Sequence, residues 1–341
     1  MEKLILKSFL SPGDLLMLSA AIRDLHRAYP NRFLTDVRTS CPGLWENNPF
    51  ITPLSESDPD VRTLDCHYPL IHESHRRSEH FVFGYLDFLN RTLNLSASTT
   101  EFRGDVHLSP GEQQNPGPLE SVTQARIPYW ILVAGGKFDF TLKWWDWRRY
   151  QKVVDHFAGK IAFVQVGEKD HYHPPLDGVI DFRKKTSIRE IIRLMYYADG
   201  VLCPVTFLMH LAAATPTTPE KKGPRACVVV AGGREPPHWE AYPQHQFLHT
   251  VGALPCCAIS GCWRARTRPL GDGSPLDHPD RICVDVVDGE PHCMRLITPE
   301  DVIGRINLYY QGGRLPFLNP EEARIAKSHQ NRDPFRALLG S

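Results

Sequence analysis

Two α/β domains of the Rossmann type, with a small cysteine-rich insertion in the second, are the fold this sequence predicts. Three observations predict it. A strand–turn–helix pattern opens the chain and restarts near residue 129. Short apolar runs alternate with helical spacing in both halves. Residues 105–125, rich in Pro, Gly, Ser, Gln and Glu, lie between the halves as a linker. Strands alternating with helices imply a mainly parallel sheet in each half. At 341 residues there is room for two domains of ordinary size.

The first domain and linker occupy residues 1–125. Residues 4–9 form a short apolar strand that meets Ser11-Pro12-Gly13-Asp14. Leu15, Leu18, Ile22 and Leu25 follow at helical spacing, and Tyr29-Pro30 ends that helix. Residues 33–37 and 67–71 read as further strands. Residues 78–93 read as an amphipathic helix through Phe81, Tyr85, Phe88 and Leu89.

The second domain occupies residues 126–315. Residues 129–134 are all apolar, as in a parallel strand buried on both faces, and lead into Gly135-Gly136-Lys137. A helix over 145–157 and a strand over 161–166 follow. Ser187 and Glu190 form a capping box for a helix with a stripe of Ile188, Ile191, Ile192 and Met195. A strand over 201–203, a helix over 206–214 and a strand over 227–231 come next, the last running into Gly232-Gly233. Thr298 and Pro299 start the last regular helix. Between 255 and 294 the pattern breaks and five cysteines appear. Residues 316–341 read as a C-terminal helix or tail.

Hydrophobic residues at 42% and charged residues at 23% are the composition of a globular protein. Lys+Arg and Asp+Glu both number 39, which gives no basis for bulk capture of nucleic acid or of an anionic membrane. No run reaches the roughly 18 apolar residues of a membrane span. The first residues carry too short an apolar run for a secretory signal. A cytoplasmic location is therefore expected, with the 9 cysteines reduced.

Ligands of open α/β sheets bind beyond the carboxyl ends of the strands. Four loops stand there, at 11–14, 134–137, 203–210 and 231–240, and three of them make the second half the nucleotide-binding candidate. Gly135-Gly136-Lys137 offers close backbone approach and a cation suited to a diphosphate. It reads equally as a plain strand-end turn. The helix start from Thr206 to His210 offers N–H groups and a dipole that favour an anion. Neither matches a strict dinucleotide or P-loop motif. Asp14 is a general base at a domain cleft or an ordinary first-turn acid. Trp144, Trp145, Trp147 and Trp239 read as packing residues, one of them bordering a sugar or base site. His171, His173, His238, His245 and His249 read as surface residues.

The cysteines are the most specific chemical signal. Cys257-x4-Cys262 and Cys283-x9-Cys293 would give a soft tetrahedral cation, zinc or iron, its four thiolates. Buried free thiols are the alternative, and Cys256 is a substitute for Cys257. Cys41, Cys66, Cys203 and Cys227 read as packing residues.

Taken together, SPGDLLMLSAAIRDL, GGKFDFTLKWWDWRRYQKVVDHF, IAFVQVG and VTFLMHLAAATPT resemble glycosyltransferase family 9, the ADP-heptose heptosyltransferases. The resemblance runs from about Lys3 to about Gln311. The stretch GGREPPHWEAYPQHQFLHTVGALPCCAISGCW is similar to a branch that includes autotransporter heptosyltransferases with a four-cysteine iron finger. The resemblance implies a GT-B fold, two Rossmann-like domains facing a central cleft, with acceptor on the first and donor on the second. It implies inverting transfer of a heptose-like sugar from an ADP-sugar, with no divalent metal required for transfer.

By motif match Asp14 falls on the catalytic base and Lys137 on the donor-phosphate lysine. Donor contacts are implied for Gly135, Gly136, Gln165, Thr206, Leu208, Met209, His210, Gly232 and Gly233. The usual D-T-G-x-x-H string stands here as Val205-Thr206-Phe207-Leu208-Met209-His210, without its Asp and Gly. The finger cysteines fall on Cys257, Cys262, Cys283 and Cys293. Acceptor protein, glycolipid or small molecule all remain open, as does a homo-oligomer. Two rival readings are a nucleotide-binding oxidoreductase of paired α/β domains and a non-catalytic metal-stapled binding module. The missing dinucleotide fingerprint counts against the first, and the neutral charge balance against the second where its ligand is nucleic acid.

Overall fold

The computed structural model describes residues 1–67, 70, 77–115, 127–221 and 225–311. Its first half holds a parallel sheet in the order β2-β1-β3, with β1 Glu2–Ser8, β2 Phe33–Thr39 and β3 Val61–Asp65. The third strand differs from the one expected at 67–71. β3 is an edge strand in which only Leu64 is buried, so no apolar run announces it. Of the expected stretch, His67 is irregular, Leu70 is helical, and 68–69 and 71 lie outside the described residues.

The helix Pro12–Ala28 packs on this sheet with Leu15, Leu16, Leu18, Ile22 and Leu25 fully buried. Each such side chain contributes about 1.5–3 kcal/mol on leaving water. The expected helix over 78–93 is a 3-10 turn, Phe81–Phe83, followed by an α-helix, Gly84–Leu93. In the linker, Ser109 and Glu112 cap a short helix, Pro110–Gln114.

The second half holds a six-stranded parallel sheet in the order β6-β5-β4-β7-β8-β9. Its strands are β4 Tyr129–Leu132, β5 Ala162–Gln165, β6 Ile180–Asp181, β7 Gly200–Pro204, β8 Ala226–Gly232 and β9 Gln246–His249. β4, β7 and β8 are buried along their whole length, which is why their sequences read as unbroken apolar runs. Trp130 and Leu132 face a core with the helices Trp147–His156 and Pro299–Tyr310. Ile131 and Val133 face the opposite core, which continues through the helix Phe207–Ala214 to the first domain. The sheet is thus covered on both faces, and one apolar core is continuous across the two halves.

The insertion has little core of its own. A two-stranded ribbon, β10 Val286–Val287 with β11 Glu290–Pro291, is its only regular pairing among the described residues. Arg266, 1% exposed, donates to Asp277 at 2.6 Å and to Asp272 at 2.8 Å and ties the loop together. The expected C-terminal helix or tail at 316–341 lies outside the described residues. No described helix is long and apolar enough to cross a membrane.

Candidate functional site

The two sheets meet with the carboxyl ends of β1 and β4 at one cleft. Ser11 caps the helix Pro12–Ala28, and its backbone N–H donates to Asp14 Oδ2 at 3.1 Å. Asp14 therefore does have the plain first-turn role. It also stands at the cleft, because Lys137 on the loop after β4 donates from Nζ to Ser11 Oγ at 2.8 Å. Gly13 lets the halves approach: a Cβ there would lie 3.1 Å from His210 Cδ2.

Behind Asp14 lies a buried charged cluster that sequence reasoning missed. Lys143 Nζ reaches Glu235 Oε1 at 2.8 Å, and Arg234 pairs with the same oxygen. His210 Nε2 lies 3.6 Å from Glu240 Oε2, and its Nδ1 bonds Tyr242 Oη at 3.0 Å. Burial, then the charge of Arg234, pushes Lys143 down to about 7 against the pull of Glu240 and Asp14. Burial pushes the Glu240 carboxyl up, with Lys143 and Arg234 opposing it and Asp14 adding to it. Asp14, Lys143, Arg234 and Glu240 thus form one electrostatic unit. Lys143 is hidden in the sequence by Trp144-Trp145, which read as core. Arg234, Glu235 and Glu240 follow no spacing rule.

Aromatic and imidazole rings seal the same interface. His80 of the first half packs against Tyr242 and Phe102, with ring centroids at 5.2 and 4.4 Å. Phe81 packs against His210 and Trp239. Burial pushes both His80 and His210 down to about 3, so both rings are neutral at physiological pH. Of the histidines expected at the surface, His245 is in fact 4% exposed, beneath Tyr242. His173 is half-buried and bonds Ala134 O through Nδ1 at 2.9 Å.

The remaining donor candidates separate into those at the cleft and those engaged elsewhere. Thr206 caps the helix Phe207–Ala214 in an extended conformation, at the cleft wall beside His210. Leu208 and Met209 are 3% and 0% exposed and point into the core. Gln165 is fully buried, and both ends of its amide hold residues 174–176, through Pro174 O at 2.7 Å and Leu176 N–H at 3.1 Å. The backbone of Gly136 is paired in both directions with Tyr172. Gly135 approaches that same tyrosine's carbonyl, which a Cβ would meet at 2.0 Å. Their close approach is thus to the chain itself.

Gly232 and Gly233 serve the cysteines. A Cβ on Gly233 would lie 3.0 Å from Cys257 Sγ and 3.1 Å from Cys293 Cβ. Cys262 N–H donates to Gly233 O at 3.1 Å. Cys293 is pushed up to about 12, mainly by burial, with Cys262, Cys283 and Cys256 contributing. All nine cysteines are free, and five of them converge here. Cys257 Sγ donates to Thr250 O and Leu254 O, and Cys283 Sγ to Asp285 O. Among the described residues no three His, Cys, Asp or Glu side chains stand in ligating geometry. Thiols are the donor type a soft cation takes, and glycine at 233 lets Cys257 and Cys293 pack closely against the turn.

Trp144, Trp145 and Trp147 line a cavity of about 450 Å³ outside the cleft, between this loop and the insertion residues Arg268 and Glu290. Trp239 is a packing residue, between Phe81 and Trp263.

No family model and no curated protein matches this sequence. Solved structures do match. One is the glycosyl transferase family 9 protein from Veillonella parvula, at 11% identity and TM-score 0.60, over 92% of this chain and 98% of that one. A second is Escherichia coli ADP-heptose LPS heptosyltransferase II, at 13% identity and TM-score 0.55, over 92% and 100%. A third is the iron-containing dodecameric glycosyltransferase TibC from enterotoxigenic E. coli, at 17% identity and TM-score 0.58, over 91% and 76%. TibC is also known in complex with ADP-D-β-D-heptose. Together with the two parallel sheets and the cleft between them, these likenesses establish the fold as α/β of the GT-B type.

Proposed function

We propose that this protein is an inverting glycosyltransferase that moves a heptose-like sugar from an ADP-sugar to an acceptor nucleophile. The observation that carries the reading is the contact of Lys137 with Ser11, which brings a cation of the second half to the helix cap that also bonds Asp14. The transfer is a single in-line displacement at the anomeric carbon. Asp14 takes the proton from the acceptor as the new bond forms, a role worth roughly 10²–10⁴-fold. The bond from the anomeric carbon to the diphosphate breaks, and negative charge gathers on the departing ADP. In this reading Lys137, Lys143 and the helix start at Thr206 stabilise that charge. Cations do this work, so the transfer itself needs no divalent metal. Burial by His80, Phe81, Trp239 and Tyr242 keeps the electrostatics strong.

Cys257, Cys262, Cys283 and Cys293, with Cys256 as a substitute, would hold iron or zinc. Four protein thiolates leave no open position, so the ion would be structural. The dodecameric TibC is the model for a homo-oligomer. A protein or glycolipid acceptor and a cytoplasmic location complete the reading. Incubation with ADP-heptose, UDP-sugars and NAD, read by thermal shift and by mass spectrometry of the products, tests it. Stabilisation by NAD alone would favour the oxidoreductase reading instead.

A further inference from the structure

Glu235 sits between two cations in a place that suits an anion. Its Oε1 accepts from Lys143 and from Arg234, while Oε2 is buried without a hydrogen-bond partner among the described residues. Both cations also face one ring: Lys143 Nζ lies 5.4 Å and Arg234 Cζ 4.7 Å from the Phe140 centroid. Arg234 is held in place through Nε, which donates to Arg264 O at 2.6 Å. Its guanidinium is therefore pre-oriented, and Phe140 lies beneath it.

The carboxylates of the cluster already offset its cations. Asp14, Glu235 and Glu240 are set against Lys143 and Arg234, with Lys137 at the mouth. A nucleoside diphosphate adds two or more negative charges, and buried charges are tolerated only when paired. Glu235 follows directly on Gly233 and Arg234 in the turn after β8, outside the regular strand.

Resting on the donor reading above, we propose that Glu235 is a built-in surrogate for the leaving diphosphate. It neutralises Lys143 and Arg234 while the cleft is empty and is displaced when the donor enters. Arg234 then takes phosphate oxygens in a bidentate manner beside Lys143. When the sugar has been transferred, the returning carboxylate competes with ADP for both cations and promotes its release.

The test is calorimetric titration of ADP and AMP into the full-length wild type, Glu235→Gln, Glu235→Asp, Arg234→Gln and Arg234→Lys, with melting curves to confirm folding. Glu235→Gln is expected to bind ADP about tenfold more tightly. It should also lower both KM and kcat, because product leaves slowly. Glu235→Asp, whose shorter stem reaches the cations less well, should fall between Glu235→Gln and wild type. Arg234→Gln should weaken ADP about tenfold while changing AMP little, and Arg234→Lys should restore part of the loss. ADP binding that is unchanged or weaker in a folded Glu235→Gln overturns the surrogate role alone. An unchanged ADP-to-AMP ratio in Arg234→Gln overturns the part given to Arg234. Absence of ADP binding by both wild type and Glu235→Gln overturns the donor reading itself.

Discussion

Lys137 Nζ and Ser11 Oγ meet at 2.8 Å across the two halves of the chain, three residues from the carboxylate of Asp14. One hydrogen bond thus joins the strand-end loop of one sheet to the helix cap of the other. The proposed chemistry depends on that juxtaposition.

Asp14 has two roles that substitution separates. Asp14→Ala removes both the base and the acceptor for the Ser11 N–H, so it should lower turnover and also cost about 1 kcal/mol of stability. Asp14→Asn keeps an acceptor oxygen and should recover most of that stability. Equilibrium denaturation of the two variants measures the difference.

Lys137→Ala and Lys143→Ala should each weaken ADP about tenfold. Lys143 carries a further signature. Burial pushes its ammonium down to about 7 against the pull of nearby carboxylates, so its charge weakens as pH rises. An entering diphosphate favours the charged form, and binding should take up a proton. ADP affinity should therefore fall as pH rises above 7. Calorimetry in two buffers of different ionisation enthalpy should detect the uptake in wild type and in Lys137→Ala, and not in Lys143→Ala.

Acid should loosen the interface between the halves. His80 and His210 are held near 3, against 6.5 for an ordinary imidazole. Between those values the unfolded chain binds more protons than the folded one, so stability is lost as pH falls below 6.5. At pH 5 the loss is of order 1–2 kcal/mol per ring. Melting curves from pH 7.5 to 5 should show it, and His80→Leu should make the decline shallower.

The thiol cluster should carry metal. Elemental analysis of purified protein should find iron or zinc, and Cys262→Ser should lose it and melt earlier. A metal-free wild type with the same melting temperature as Cys262→Ser would remove the structural ion.

Much of the frame was legible in the sequence because it rests on local rules. Residues 129–134 read as a strand buried on both faces, and β4 is one. Ser187 and Glu190 read as a capping box, and Ser187 N–H does donate to Glu190 Oε2 at 2.7 Å. Asp14 and Lys137 stand just beyond strand ends, as the sequence pattern places them, and the structure joins their two loops through Lys137 and Ser11. The edge strand β3 was missed because Leu64 is its only buried side chain. Gln165 and Gly136 stand at strand ends as expected, yet their polar groups hold neighbouring loops, which no one-dimensional pattern records. Lys143, Arg234, Glu235 and Glu240 come together only through tertiary folding. Their importance lies in burial and mutual charge, neither of which sequence spacing encodes.

The most direct measurement is single-turnover ADP release from ADP-heptose in the presence of acceptor, for wild type and Asp14→Asn, with ADP affinity measured alongside. The expected result is ADP affinity at least as high as in wild type and release slowed by roughly 10²–10⁴-fold in Asp14→Asn. Near wild-type release by that variant would contradict the account.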